Sequence, residues 1–261
     1  MVKLNLQIAE HRFEVTTYAS ELADFLSANY LPADPSEQPP DMMLVIHDGY
    51  GRPFETYDVA ASASDGVLLF VRSDYRIDVD EDFTRASVQV HDTFALKHAM
   101  MNLYSAFAAQ RGWGLLLHSS CIMEREQAYL FAGPSGAGKS TVALLSQPRP
   151  VLSDEATIVK IGEGETIVYD SPFRSDSGPP SRREGVPLSA IQLLRQSQHI
   201  HRQRLPQMDG LMGIMDKVFF WAADVAQTQQ VMRLCHKLAT NVPVYELQFQ
   251  KNDRFWEAIS L

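Results

Sequence analysis

The chain has 261 residues, of which 45% are hydrophobic, and this is enough for one large domain or two small ones. Its formal net charge is -9, and residues 1–100 hold 7 basic against 17 acidic side chains, which argues against nucleic-acid binding because phosphate attraction needs clustered Lys and Arg. Two cysteines are too few for a disulfide framework, and the apolar run "LMGIMDKVFFWAA" is interrupted by Asp216 and Lys217 before it could cross a bilayer. We therefore expect a cytoplasmic protein with no nucleic-acid partner and no membrane partner.

Residues 1–92 predict an N-terminal α+β unit. Alternation of apolar and polar residues predicts strands near 2–8, 11–17, 42–47, 66–72 and 86–90, and a helix is expected near 19–29. The run "SDYRIDVDEDF" carries five acids and is either a docking face for a basic peptide or a solvated surface, the latter being more usual. We assign this unit a possible role in peptide recognition.

A second unit is expected over residues 93–261. From Thr93 to Gln110 the apolar residues recur every three or four positions, which predicts a long amphipathic helix that joins the two units. Further elements are predicted as a strand near 187–194, helices near 206–218 and 224–240, a strand at 242–249 and a short helix from 253.

A glycine-rich loop is the most specific motif in the chain. Gly133, Gly138, Lys139 and Ser140 fit G-x-x-x-x-G-K-[ST], in which backbone N–H groups surround phosphates, the Lys reaches the β- and γ-phosphates and the hydroxyl binds Mg²⁺. The residues expected to bind the nucleotide are Gly133, Pro134, Ser135, Gly136, Ala137, Gly138, Lys139, Ser140 and Thr141. A nucleotide and Mg²⁺ are thus expected here, with Ser140 as a metal ligand.

A histidine lies one predicted hairpin upstream of this loop. "GLLLHSSCIM" and "AYLFAG" read as strands joined by the turn "EREQ", so they should pair in antiparallel fashion and make the sheet mixed. If Met123 faces Ala128, the same register brings His118 opposite Gly133. His118 is then a candidate catalytic residue beside the phosphates, the alternative being a core histidine with its hydrogen bonds satisfied.

An acidic pair follows the loop after a short crossover. The strand "PVL" delivers Asp154 and Glu155, and we expect them at the same sheet edge as the phosphate loop. Asp154 could hold Mg²⁺ or accept the proton of an attacking hydroxyl, and Glu155 could take either role. The alternative is an acidic turn at the end of a strand.

The segment "SPFRSDSGPPSRREGVP" lacks apolar periodicity and is long enough to be a mobile lid over the site. Arg174, Arg182 or Arg183 could steady the charge of a phosphoryl group in transfer, although loop arginines are usually solvated. Asp176 is a candidate contact for the substrate hydroxyl or the metal.

The motifs "LHSS", "GPSGAGKST" and "VLSDEA" together resemble the kinase domain of HPr kinase/phosphorylase, over about residues 110–255. The resemblance implies an α/β fold: a mixed-sheet P-loop kinase domain of the type shared with phosphoenolpyruvate carboxykinases. It implies ATP, Mg²⁺, phosphorylation of a serine hydroxyl, and an active site made of His118, the loop 133–141, Asp154 and Glu155. "YDSPFRSD" and "PLSAIQLLRQ" resemble smaller HPr-kinase-related proteins, among them kinases of the C-terminal serine of lasso-peptide precursors.

The expected function is therefore an ATP- and Mg²⁺-dependent serine kinase acting on a peptide or small protein. Two alternatives stay open: a kinase of free serine or a similar metabolite, and a nucleotide-binding regulatory protein without catalysis. The oligomeric state is also open, with a homo-oligomer as one option.

Overall fold

The computed structural model describes residues 1–34, 39–175 and 178–259. The strands of the first sheet are β1 (Val2–Ile8), β2 (His11–Thr17), β3 (Leu31–Pro32), β4 (Met42–His47), β5 (Ala60–Ser64), β6 (Val67–Arg72), β7 (Tyr75–Asp80) and β8 (Arg85–Val90). The other strands are β9 (Gly114–Glu124), β10 (Gln127–Ala132), β11 (Val151–Ser153), β12 (Ala156–Ile161), β13 (Thr166–Tyr169), β14 (Val186–Gln196), β15 (His201–Arg204) and β16 (Val244–Phe249). The helices are α1 (Ser20–Asn29), α2 (Thr93–Gln110), α3 (Lys139–Leu145), α4 (Gln207–Met215), α5 (Val225–Asn241) and α6 (Phe255–Ile259).

The first sheet has the strand order β3-β1-β2-β4-β8-β7-β6-β5. Its strands bury every second residue, as in "HRFEVTT" of β2, because α1 and α2 pack on one face and leave the other to solvent. Strands β1, β2 and β4 lie at their predicted positions, whereas the predictions missed β3, β5 and β7. β7 was missed because it lies within the acidic run, whose charges hide the alternation of Tyr75, Ile77 and Val79.

Helix α2 covers its predicted range, but it is buried on nearly all sides. Fourteen of its eighteen residues are buried, since β7 and β8 pack on one side and β9 and α5 on another. The side chain of Asp92 caps the helix by accepting a hydrogen bond from Ala95 N at 2.8 Å. Within the part of the chain that the structure describes, no helix has the length and apolar character needed to span a membrane.

The second half of the chain is built on a closed barrel of five strands. β9 pairs with β10 and β12, β12 with β13, β13 with β14, and β14 with β10, which completes the ring. Beyond the ring, β14 pairs in parallel with β16, which pairs with β15, and β11 pairs with β9. The hairpin of β9 and β10 has the predicted register, with Met123 opposite Ala128.

This architecture corrects the expected fold class. The described residues are 38% strand and 26% helix, with a closed barrel beside a mixed sheet, so the prediction of an α/β P-loop kinase domain of the HPr kinase/phosphoenolpyruvate carboxykinase type is wrong. The error has a local origin, because no strand was predicted for residues 156–169. This segment forms the hairpin of β12 and β13, which closes the ring against β14.

One ion pair of the acidic run is fully buried. Asp74 has no exposed surface, and its two carboxylate oxygens accept hydrogen bonds from the Arg72 guanidinium at 2.7 and 2.9 Å. Arg76 and Asp78 have the same spacing and the same two-bond geometry, but their side chains are 42% and 28% exposed. The two pairs therefore differ mainly in burial.

We expect Asp74→Ala to lower the free energy of unfolding by about 3–5 kcal/mol, because it leaves a buried guanidinium without its partner. The matched control, Asp78→Ala, should cost at most about 1 kcal/mol, since solvent screens that pair. Urea denaturation followed by circular dichroism measures both values. Equal losses in the two variants would contradict the importance of burial at Asp74.

Candidate functional site

Most of the predicted site residues line one cavity. Its volume is about 380 Å³, and it lies between the glycine-rich loop and the turn that follows β11. The residues that line it are His118, Ser135, Gly136, Gly138, Lys139, Ser140, Thr141, Asp154, Glu155, Ser175, Gln196 and Lys251. The histidine, the loop and the acidic pair, which are far apart in the sequence, thus face a common space.

The loop between β10 and α3 depends on glycine at two positions. Gly136 and Gly138 have φ angles of 77° and 109°, which L side chains rarely adopt. A Cβ atom on Gly138 would also lie 2.7 Å from Phe249 Cζ. The backbone closes through Ala137 N donating to Pro134 O at 3.0 Å, and α3 begins at Lys139. The glycines therefore serve both the backbone conformation and close packing.

Lys139 turns back into its own loop. Its ammonium donates to Gly133 O at 3.0 Å and to Pro134 O at 3.3 Å, and the residue is 9% exposed. Burial lowers the pKa of Lys139, and the nearby charge of Lys217 lowers it further. The ammonium holds two neutral carbonyl partners, and a phosphate oxygen would be a stronger, charge-assisted partner.

His118 lies on β9, opposite Ala156 of β12, and its ring centroid is 5.4 Å from that of Phe219. The side chain is partly exposed and lines the cavity. Burial lowers the pKa of His118, the Lys139 and Lys217 charges lower it further, and Glu155 opposes the shift. The shift favours the neutral imidazole, which can both donate and accept a hydrogen bond.

Asp154 and Glu155 form the turn between β11 and β12. Asp154 Oδ1 accepts a hydrogen bond from Ser175 N at 2.8 Å. Glu155 Oε2 accepts from Lys97 Nζ at 2.7 Å and from Ser175 Oγ at 3.0 Å. The negative charge of Glu155 is thus compensated by Lys97 of α2. Asp154, the preceding residue, is held by the backbone of Ser175.

The metal prediction rests on the loop hydroxyl and one carboxylate. Among the described residues, no group of three or more His, Cys, Asp or Glu side chains is arranged to hold a metal ion. Ser140 and Asp154 both line the cavity and both offer oxygen atoms. These donors fit Mg²⁺, which binds proteins through one or two such oxygens and completes its shell with phosphate oxygens and water.

The predicted arginines engage their own loop and its neighbours. Arg174 donates to Ser171 O at 2.7 Å and to Leu152 O at 3.1 Å, and it forms an ion pair with Asp170. Burial lowers the pKa of Arg174, while the charge of Asp154 raises it. Arg174 therefore stabilises the segment that carries Ser175, and its side chain does not line the cavity.

Arg182 and Arg183 do not line the cavity. Arg182 pairs with Glu126 at 2.9 Å, and Arg183 donates to Pro32 O at 2.7 Å, so both tie the segment to other parts of the fold. Ser181 N and Arg182 N donate to one oxygen of Asp170. Asp176, the remaining predicted residue, lies outside the described residues.

Lys217 was not among the predicted site residues, because its charge was noted only as an interruption of an apolar run. The segment after α4 pairs with β9, because His118 N donates to Lys217 O at 2.7 Å and Phe219 N donates to Leu116 O at 3.0 Å. The Lys217 side chain is 11% exposed, and its ammonium is 2.7 Å from Asp216 Oδ2. No local pattern could reveal this position, since it depends on pairing across about a hundred residues.

The comparison with known families identifies the chain. Residues 82–261, more than half of the chain and including every residue of the cavity, match the family described as SynChlorMet cassette protein ScmC. The chain belongs to this family. No curated protein matches the chain. The inferred resemblance to HPr-kinase-related proteins, including the lasso-peptide kinases, is therefore wrong, because the matching family is ScmC.

We expect Lys217→Met to raise the pKa of His118, because removal of a nearby positive charge favours the protonated imidazole. Titration of the ring proton of His118 by NMR measures the change, with the resonance assigned from the spectrum of His118→Gln. Lys237→Met, which breaks an ion pair with Glu163, is the control and should leave the pKa unchanged. An unshifted titration in Lys217→Met would contradict the electrostatic contact.

Proposed function

We propose that the protein is an ATP- and Mg²⁺-dependent kinase that transfers the γ-phosphoryl group to a serine hydroxyl of a peptide or small protein. The observation that carries the proposal is the cavity in which Lys139 and Ser140 face Asp154 and Glu155. A loop of the G-x-x-x-x-G-K-[ST] type accounts for the phosphates, and the carboxylates account for a hydroxyl acceptor. A cytoplasmic location, which remains a prediction, would supply both ATP and Mg²⁺.

The loop residues bind and orient the donor. Lys139 would exchange its carbonyl partners for the β- and γ-phosphates, while backbone N–H groups of the loop hold their oxygens. Ser140 and Asp154 would hold Mg²⁺, which neutralises charge on the phosphates when bound. His118, neutral and half-buried, would position the transferred group or the acceptor by a hydrogen bond.

The acceptor step needs one positioned carboxylate. The serine oxygen forms a bond to the γ-phosphorus, the bond from that phosphorus to the ADP oxygen breaks, and the serine proton passes to a carboxylate. We assign this proton to Asp154, which would act either as the base or as the Mg²⁺ ligand, while Glu155 is in an ion pair with Lys97. Glu155 then serves to keep the turn and Ser175 in place.

The identity of the acceptor remains a prediction. The excess of acidic residues in the N-terminal part favours a peptide with basic residues over free serine.

We expect Lys139→Met to weaken the binding of an ATP analogue by about 10- to 100-fold, since a charged hydrogen bond contributes about 1.5–3 kcal/mol. Calorimetry with a non-hydrolysable analogue measures this loss, and Lys237→Met, remote from the cavity, should bind as the unmodified protein does. Failure of the unmodified protein to bind the analogue would overturn the nucleotide site itself.

We expect Asp154→Asn to bind the metal-free analogue within about twofold, yet to transfer phosphate about 100- to 10,000-fold more slowly, because it removes the proton acceptor. Transfer of labelled phosphate from ATP to serine peptides measures the rate. Unchanged transfer would rule out the role of Asp154. Nucleotide binding without transfer to any acceptor would indicate a regulatory protein, and transfer to free serine alone would indicate a metabolite kinase.

A further inference from the structure

Three aromatic side chains form a cluster outside the cavity, which we call the aromatic patch: the exposed Tyr57 and Phe94 and the half-buried Phe54. Tyr57 is 67% exposed and Phe94 is 42% exposed. The ring centroid of Phe54 lies 4.7 Å from that of Tyr57 and 5.3 Å from that of Phe94. Clustered and exposed rings are common in binding surfaces, because each buries a large area at a low cost in conformational entropy.

The aromatic patch lies near the carboxylate end of the cavity, with the buried His98 between them. The ring of Phe94 lies 4.3 Å from that of His98, and the rings of Tyr57 and Phe54 lie 6.0 and 6.4 Å from it. His98 Nε2 in turn lies 3.9 Å from Glu155 Oε1. Since Glu155 lines the cavity, the patch adjoins the side where the acceptor hydroxyl would be activated.

The fold holds the aromatic patch in place before any ligand binds. The Arg72 guanidinium, fixed by Asp74, lies 4.8 Å from the centroid of the Phe54 ring. The loop that carries Phe54 is tied to the sheet by Tyr50 N, which donates to Val90 O, and by Arg52 N, which donates to Ser73 O, both at 3.1 Å. A surface that is ordered in advance loses little entropy when it binds a partner.

The charges around the aromatic patch are mainly negative. Glu55 and Asp58 flank Tyr57 in the chain, Asp92 lies two residues before Phe94, and all three acids are exposed. Arg52 offsets one of these charges, since it is paired with Glu55 at 3.1 Å, and Asp92 also caps α2, so the net excess of negative charge is modest. The surroundings therefore complement a partner that carries Lys or Arg.

We propose that the aromatic patch binds the acceptor peptide through a large apolar side chain close to the serine, with Lys or Arg beside it. This inference rests on the proposed kinase function and specifies its substrate class. Glu155 Oε1 lies 3.9 Å from His98 Nε2 and the His98 ring lies 4.3 Å from that of Phe94, so carboxylate and ring are within about 10 Å, which an extended peptide at about 3.3 Å per residue spans in about three residues. The rings of the patch take the apolar residue, and Glu55, Asp58 and Asp92 take the basic ones.

A peptide library with a central serine and four randomised positions on either side tests the inference. The full chain, labelled ATP and Mg²⁺ are incubated with the library, and incorporation is measured for each residue at each position. We expect Phe, Tyr, Trp or Leu to be preferred at one position about three residues from the serine, with Lys or Arg preferred beside it. Labelling of no peptide would overturn the proposed peptide kinase, whereas labelling without an apolar preference would overturn only the role of the patch.

Variants of the exposed rings locate the preference. For the best peptide of the library, Tyr57→Ala and Phe94→Ala should each raise KM about tenfold, with kcat and the KM for ATP within about twofold. Tyr18→Ala is the matched control, since that ring is 65% exposed and stacks on His47 within the first sheet. Its kinetic constants should not change.

Two other results would contradict a role of the aromatic patch in peptide binding. If the apolar preference persists in Tyr57→Ala and in Phe94→Ala, the peptide binds at another surface and the inference fails. If these variants leave the preference intact but change the oligomeric state in analytical ultracentrifugation, the patch is an interface between copies of the chain. A double variant Glu55→Gln with Asp58→Asn should retain the apolar preference and lose part of the basic one.

Discussion

The arrangement of the site depends on a change of partners along the single strand β9. Its first part, residues 114–118, lies between β12 and the segment 217–219. Its second part, residues 119–124, lies between β10 and β11. Both neighbours change at the same point, between His118 and Ser119. On one side β10 leaves β9 to form the glycine-rich loop, and on the other the chain crosses from β11 to β12 through the acidic turn. The histidine, the loop and the carboxylates meet because all three lie at this junction.

The junction also concentrates charge in a partly buried space. Lys139 and Lys217 lower the pKa of His118, and Lys217 lowers that of Lys139, so positive charge is in excess beside the loop. Across the cavity, Glu155 is balanced by Lys97, and Ser175 contacts both carboxylates. Lys217 is itself paired with Asp216, and under the proposed function a phosphate bound in the loop would offset the charge of Lys139.

Local sequence patterns predicted local structure well. The alternation in β1 and β2, the spacing in α2 and the hairpin of β9 and β10 all depend on neighbouring residues, and these elements lie where they were predicted. β7 was not predicted because its residues on the solvent-exposed face are charged. β12 and β13 were not predicted because their apolar runs are short. The overall fold was inferred from motifs that occupy few residues, and such motifs do not specify the strands around them.

The site residues that could be predicted are those that a local motif marks. The motif itself identifies Lys139 and Ser140, and the end of a strand identifies Asp154 and Glu155. The contact of Lys97 with Glu155 needs α2 to lie across the barrel, and no periodicity within α2 contains that information. Arg174 was predicted to face the phosphates because its loop is polar, yet its buried neighbour Asp170 holds it.

The burial of α2 on both sides has a consequence for how the molecule can be divided. One cluster of buried side chains runs from β1 through α2 to Leu116, Ile158 and Phe173. Helix α2 therefore supplies apolar surface both to the first sheet and to the barrel. A chain that began at Thr93 would expose to water the face of α2 that packs on the first sheet. A chain that began after Gln110 would lack α2 altogether and would expose the barrel residues that α2 covers. The two halves are therefore thermodynamically dependent on one another, and any chain that kept only the later half would need a substitute to shield α2.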